Sequence, residues 1–240
     1  MMEPLRITAV LQTGQVCTYD GRLSLDGLLS WVWFREHHPE LLAYGAHEKD
    51  WPDAVLPLER RVPDHDPGAW YWAVSLGQYT VQGEYIFHWH RRFAANRERY
   101  LDLSGRKSGR INTAAGYMKV YRHPVPVILT PEITWYAVGD SDELRRMLAK
   151  VSWIGKNRSQ GFGLIAEWRV EPWSEDWSER GPDGRIMRDL PVPEDQAEGV
   201  EGIRPPYWHR RNTYPVEVWR GPQESQYAES NQRAYVVGNP

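Results

Sequence analysis

A glycine-rich run between a predicted helix and a predicted strand is the feature that most restricts how this chain can fold. Residues 155–163 have the sequence GKNRSQGFG. Apolar residues recur at helical spacing over 142–151, and the apolar and aromatic residues of 162–170 are typical of a strand. Glycine lacks a Cβ, so these positions can take positive φ angles and allow other groups to approach the main chain. We therefore expect a tight helix-to-strand connection.

The order of these elements distinguishes the run from a nucleotide-binding P-loop. A P-loop follows a strand, precedes a helix and places its lysine beside Ser or Thr. Here the order is reversed, and Lys156 precedes Asn157. We therefore expect no NTPase. Two interpretations stay open: a loop that contacts a polyanion through Lys156 and Arg158, or a turn that the glycines only close.

The composition is that of a globular protein. The 240 residues carry a net charge of −3 and are long enough to bury a sizeable core. Neither an apolar run of membrane-spanning length nor a cationic and apolar leader is visible, so we expect a cytoplasmic protein with no membrane partner. Cys17 is the single cysteine, which excludes an internal disulfide and a multi-cysteine zinc site. No cofactor and no metal site are predicted.

Positive and negative charge are separated along the chain. Residues 88–122 hold nine Lys or Arg and two acids, a local net of +7, whereas residues 171–201 hold ten acids and three Arg, a local net of −7. The cations of the first stretch are interleaved with aromatic residues, among them Trp89, Tyr100 and Tyr121. Cations beside rings are typical of a path for single-stranded nucleic acid. Simple solvated arginines are the alternative.

Periodicity and turn signals predict the other elements. A strand is expected over 5–11, and a helix capped by Ser24 or Asp26 should run to about His38. Residues 69–76 and 79–90 are predicted to form a hairpin. Further strands, separated by prolines, are predicted over 117–122, 125–129 and 133–138.

This order predicts an α+β fold with a ferredoxin-like antiparallel sheet and helices on one face. We expect residues 1–171 to form one RNA-binding domain with a basic insertion at about 91–113. Residues 172–240 are expected to form an irregular Pro/Trp-rich C-terminal extension, packed on the body or on a neighbouring subunit.

Two segments carry a resemblance to a known family. One is the run LSLDGLLSW at 23–31, which follows the first strand, and the other is the glycine run. Together they resemble the RAMP superfamily of CRISPR-associated proteins, and within it the Cas-five-type subunit of type IV CRISPR effector complexes. The resemblance covers about residues 5–170.

The resemblance implies a non-catalytic subunit that grips the 5′ handle of the guide RNA (crRNA) and caps a filament of backbone subunits. The implied partners are the guide RNA and the backbone and large subunits of the complex, with target DNA as a further candidate. The candidate RNA-binding residues are Arg91, Arg92, Arg97, Arg106, Lys107, Arg110, Lys119, Arg122, Gly155, Lys156, Asn157, Arg158, Ser159, Gln160, Gly161, Phe162 and Gly163.

Two alternatives stay open. The superfamily also includes metal-independent endoribonucleases that mature guide RNA, and His88, His90 or His123 could act as the general base for such a reaction. A protein-interaction scaffold that uses the Trp-rich tail is the second alternative, and it leaves the basic stretch unexplained.

Overall fold

The computed structural model describes residues 1–42, 51–91, 100, 112–114 and 119–221. Within them the fold is an α+β mixture of two α-helices and several antiparallel sheets, as predicted. In chain order the elements are β1 (Met2–Leu11), β2 (Gln15–Cys17), α1 (Leu25–His37), β3 (Arg60–Arg61), β4 (Tyr71–Trp72), β5 (Gly83–Arg91), β6 (Tyr121–Leu129), β7 (Glu132–Asp140), α2 (Ser141–Leu148), β8 (Ile165–Pro172), β9 (Leu190–Pro191), β10 (Gly199–Gly202) and β11 (Thr213–Glu217).

The first sheet has the order β7-β1-β8, and one of its faces forms the main core. Side chains alternate between the two faces of a strand, so Ile7 of β1 lies on the same face as its partner Trp135. Both side chains are fully buried, together with Leu29 of α1 and Leu144 of α2. The two helices therefore cover one face of this sheet. The other face carries polar residues such as Thr8 and Thr134, whose hydroxyls lie 3.2 Å apart.

The helices begin close to where the sequence predicted. Asp140 caps α2, because its carboxylate accepts a hydrogen bond from the Glu143 N–H at 3.2 Å. Ser24 is the N-cap residue of α1, but its side chain makes no capping hydrogen bond.

The predicted hairpin between 69–76 and 79–90 is wrong. Val74 instead bridges Ala137, and Gln78 exchanges backbone hydrogen bonds with Thr134, so residues 73–78 lie along β7. The following segment leaves this sheet and forms β5, which pairs with β6 along its whole length. The alternation of apolar and polar residues predicts a strand but not its partner. The partner depends on which sheet edge the strand contacts in the folded chain.

A second sheet has the order β2-β6-β5. β6 is one continuous strand although it contains Pro124 and Pro126, where the sequence predicted two shorter strands. β2 pairs only with residues 127–129 of β6. Both prolines lie beyond the end of β2, where one side of β6 has no neighbouring strand among the described residues, so the missing N–H groups are tolerated.

The described part of the C-terminal segment packs on the rest of the chain. Its strands form a small sheet in the order β10-β11-β9. The buried guanidinium of Arg204 donates hydrogen bonds to the carbonyl oxygens of Gly68 and Trp70 at 3.0 and 2.8 Å. Arg188, also buried, donates to the carbonyl oxygen of Val74 at 2.9 Å. Two arginines thus satisfy backbone carbonyls of the body. The division of the chain at residue 171 stays a prediction.

Asp26 ties α1 to the same C-terminal segment. It is 1% exposed, and its carboxylate accepts hydrogen bonds from the Tyr207 hydroxyl at 2.6 Å and from the Gly27 N–H at 3.0 Å. Burial raises the pKa of Asp26 above its ordinary value, against the opposing effects of Arg188 and of the Tyr207 hydrogen bond. The sequence predicted Asp26 as a possible helix cap, and the side-chain partner of its carboxyl group is Tyr207 of the same chain.

Asp26→Asn should change how stability depends on pH. Above the unfolded-state pKa the folded protein retains a proton that the unfolded chain has released, so stability should fall as the pH rises toward the folded-state pKa. In Asp26→Asn the thermal unfolding midpoint should no longer show this decrease between about pH 4 and pH 7. The exposed Asp64→Asn serves as the control. Identical pH profiles for wild type and Asp26→Asn would contradict the prediction.

Candidate nucleic-acid interface

The glycine loop, residues 155–163, is fastened to β2 by backbone hydrogen bonds. The Lys156 N–H donates to the Cys17 carbonyl oxygen and the Gly163 N–H donates to the Gln15 carbonyl oxygen, both at 2.8 Å. Between these two anchors, residues 158–160 form one turn of 3₁₀ helix. The loop therefore lies directly on the second sheet, although it connects α2 and β8 of the first.

The three glycines all have positive φ, as predicted, but they serve different purposes. A Cβ at Gly155 would lie 2.5 Å from the Cys17 carbonyl oxygen, and one at Gly163 would lie 1.9 Å from the Ile154 carbonyl oxygen. A Cβ at Gly161 would meet no atom within 4 Å. Gly155 and Gly163 are thus required by contacts inside the protein, and only Gly161 leaves the main chain open to a ligand.

Phe162 is an anchor in this structure. It is 5% exposed, and its ring centroid lies 5.3 Å from that of Phe87 on β5. Val125 and Val127 of β6 complete this small core. Asn157 also points inward, because its amide donates to the Cys17 Sγ at 3.3 Å. The side chains that the loop presents to solvent are those of Lys156, Arg158, Ser159 and Gln160.

One face of the second sheet continues from the glycine loop as an alternation of rings and cations. We call it the aromatic strip, and its members are Tyr19, Trp89, Arg91, Tyr121, His123 and Lys156. The strand register pairs Trp89 with His123 and Arg91 with Tyr121. Directly paired residues project to the same face, and that face also carries Phe87 and therefore the glycine loop.

The members of the strip contact one another in sequence. The Lys156 ammonium lies 4.4 Å from the centroid of the Tyr19 ring. The Tyr19 hydroxyl is 2.9 Å from Nε2 of His123. The rings of Trp89 and Tyr121 meet edge to face with centroids 5.5 Å apart, and the Arg91 guanidinium lies 5.9 Å from the Tyr121 centroid. A continuous surface thus leads from the glycine loop to the last residue of β5.

The strip is open to solvent. Tyr19 is 46% exposed, and Trp89 and Tyr121 are each 37% exposed. Among the residues that the structure describes (1–42, 51–91, 100, 112–114 and 119–221), no carboxylate oxygen lies within 4.0 Å of Lys156 or Arg158, unlike Arg146, which pairs with Glu36 and Glu143. Unpaired cations beside exposed rings are the chemistry that binds a phosphate backbone with accessible bases.

The structure brings together some of the predicted RNA-binding residues. Arg91 shares a sheet face with the glycine loop, whereas Arg122 pairs with His90 and so projects to the opposite face. Lys119 is exposed just before β6. Five predicted residues lie outside the described residues: Arg92, Arg97, Arg106, Lys107 and Arg110.

The histidines are separated in the same way. His123 belongs to the strip, and His88 and His90 alternate onto the opposite face. Loss of hydration, with smaller effects from Arg122 and His90, lowers the pKa of His88, so its neutral form dominates at neutral pH.

Tyr19 is the member of the strip that sequence reasoning missed. It follows β2 and precedes the Asp20-Gly21 turn, where an aromatic residue carries no signal of its own. Its place beside Lys156 depends on the contact between the glycine loop and β2, which joins parts of the chain more than 130 residues apart.

The fold and the strip define a candidate nucleic-acid-binding protein of the α+β class. A family model described as CRISPR type IV associated protein Csf3 matches residues 3–219, and the chain therefore belongs to this family. The predicted association with type IV CRISPR systems is thereby confirmed. The match extends beyond residue 170 and includes most of the C-terminal segment. No curated protein matches the chain.

The described residues contain no helix with the length and apolar character needed to cross a membrane.

Alanine substitutions at two glycines should separate packing from backbone strain. Both Gly161 and Gly163 have positive φ, so either alanine should cost about 1–2 kcal/mol from the left-handed conformation. Only Gly163→Ala also forces a Cβ against the Ile154 carbonyl oxygen. We expect its total loss of unfolding free energy to reach about 3 kcal/mol or more, measured by urea denaturation. Equal losses for the two variants would contradict the close contact at Gly163.

Proposed function

We propose that this protein is a non-catalytic subunit of a type IV CRISPR effector complex that binds the 5′ handle of the guide RNA and caps the filament of backbone subunits. The observation that carries the proposal is the aromatic strip, which continues from the glycine loop toward the basic stretch. The proposed partners are the guide RNA, the backbone and large subunits and, as a further candidate, target DNA. The proposed location is the cytoplasm.

The strand order supports a ferredoxin-like domain of the RAMP type. Residues 73–78 lie along the free side of β7, which extends the first sheet to the order 73–78, β7, β1, β8. Along the chain the elements are β1, α1, residues 73–78, β7, α2 and β8. This is the βαββαβ order of a ferredoxin-like fold, with both helices on one face of the sheet.

The distribution of charge supports a single anionic ligand on the strip. Six of the ten acids of 171–201 form ion pairs within the protein, among them Asp176 with Arg61, Asp189 with Arg22 and Glu171 with Arg6. These ion pairs offset part of the negative charge of that segment, whereas Lys156 and Arg158 remain available to an anionic ligand. A net charge of −3 is therefore compatible with local attraction of a polyanion.

The arrangement also suggests how binding would occur. Cations that contact phosphates release counterions, which gives affinity without sequence preference, and rings supply stacking on unpaired bases. The basic stretch of residues 88–122 includes Arg91, and we propose that its other predicted cations contact the same RNA. None of these groups is required to break a bond.

Removing both loop cations should weaken RNA binding and reduce its salt dependence. We expect Lys156→Ala with Arg158→Ala to lose about 1–3 kcal/mol of binding free energy for single-stranded repeat RNA. The slope of log K against log salt should fall by about 0.7 for each phosphate contact removed. Fluorescence anisotropy over a series of salt concentrations measures both quantities.

A charge-matched control is available in two exposed arginines away from the strip, Arg35 on α1 and Arg210 in the C-terminal segment. The double variant Arg35→Ala with Arg210→Ala should bind RNA as the wild type does. An unchanged slope in the loop variant would remove the glycine loop from the RNA path.

One observation favours the endoribonuclease as a second candidate. Tyr19, His123 and Lys156 come together within the strip, with the Tyr19 hydroxyl 2.9 Å from the imidazole and the Lys156 ammonium over the same tyrosine. An imidazole could serve as a general base toward a ribose 2′-hydroxyl, and an ammonium could stabilise the negative charge that develops at phosphorus. The sequence alone gave no convincing spacing for such a group.

Incubation with RNA distinguishes the two candidates. Under the main proposal, purified protein should leave repeat RNA intact in the presence of EDTA, judged on a denaturing gel. Site-specific cleavage that is lost in His123→Ala but retained in His88→Ala would establish the nuclease instead, because only His123 lies beside Tyr19 and Lys156.

A further inference from the structure

Resting on the proposed function, we propose that Trp89, supported by Tyr121, is a stacking subsite for one unpaired nucleobase of the guide RNA. The glycine-loop cations then hold phosphates of the same strand. The glycine loop thus supplies a phosphate end at Lys156 and Arg158, and the aromatic strip supplies a base end at Trp89.

The exposure of Trp89 sets it apart from the packed tryptophans of this protein. Trp135 is fully buried and Trp70 is 7% exposed, whereas Trp89 is 37% exposed. The Tyr121 ring meets Trp89 edge to face, which fixes the indole without covering it. An immobilised, solvent-facing indole offers a large apolar surface at a low entropic cost of binding.

The other rings of the strip are less available for stacking. The Lys156 ammonium lies over the Tyr19 ring, and the Tyr19 hydroxyl is engaged with His123. The Arg91 guanidinium lies over Tyr121. Among the described residues, no Lys or Arg lies over the ring of Trp89. This is the ring of the strip that offers an open face to a base.

The spacing along β5 places the base end next to the phosphate end. Trp89 follows Phe87 by two residues on the same sheet face, a separation of about 7 Å along the strand. Phe87 is the residue on which Phe162 of the glycine loop packs. An RNA strand that crosses this face would meet the loop cations and then the indole in succession.

The chemistry of this subsite predicts selection for single strands and little selection among bases. A base inside a duplex cannot present its face to an indole, whereas each of the four bases has a π-face when unpaired. His123 is the register partner of Trp89, and its Nε2 already contacts the Tyr19 hydroxyl. The subsite would therefore recognise an unstacked base by shape.

A series of single-stranded repeat RNAs, each with one abasic nucleotide, tests this inference in the full-length protein. One position should weaken wild-type binding about 5- to 150-fold, the range expected for the loss of one stacked base. Trp89→Ala should weaken binding of the complete RNA by a similar factor and should show no further loss at that abasic position. Trp89→Phe keeps an aromatic ring at this position, so part of the affinity loss at that abasic position should remain. This result would show that the site still folds.

Trp31→Ala is the matched control, since Trp31 is 38% exposed and lies on α1. It should bind the whole series as the wild type does. Two results would overturn the stacking subsite while RNA binding stands. In the first, Trp89→Ala binds every RNA as tightly as the wild type. In the second, Trp89→Ala binds all the RNAs more weakly by the same factor and still shows the affinity loss at the abasic position. A wild-type protein that retains no RNA at low salt would overturn the proposed function and the subsite together.

Discussion

The attachment of the glycine loop to β2 is the constraint on which the candidate site depends. Two backbone hydrogen bonds, from Lys156 to Cys17 and from Gly163 to Gln15, join the connection between α2 and β8 to the second sheet. Phe162 of the loop reinforces them by packing on Phe87. Without these contacts nothing would hold Lys156 over Tyr19, and the cations of the loop would lie apart from the rings of β5 and β6.

Some residues of the glycine loop attach it to the protein, and others face solvent. Gly155 and Gly163 permit backbone contacts that any Cβ would block, and Asn157 takes a left-handed conformation with its amide turned toward Cys17. The exposed turn between these anchors then carries Arg158, Ser159 and Gln160 on a rigid support. A loop held in this way presents its charges with little loss of entropy on binding, which is what an efficient anion contact requires.

Much of the fold was predictable because its signals are local. The helical spacing of apolar residues in α2 and the strand β1 both follow from short stretches of sequence, and both elements lie close to their predicted positions. The strand partners of residues 69–90 were not predictable, because strand pairing depends on which sheet edges remain open after the chain has folded. The continuous β6 was missed for a related reason: a proline is tolerated in a strand where one side has no neighbour, and the sequence does not state where β2 ends.

The sequence by itself determined the α+β class, the positive φ of the three loop glycines, the basic stretch and the association with type IV CRISPR systems, since these depend on local conformational preference, charge and motif. Only the tertiary structure decided that Gly155 and Gly163 serve internal contacts, that Phe162 is buried, and that Arg91 and Arg122 project to opposite faces of one sheet. It also brought Tyr19 beside Lys156. The physical reason is that burial and register are properties of paired strands, and a strand's partner is chosen by contacts between segments far apart in the chain.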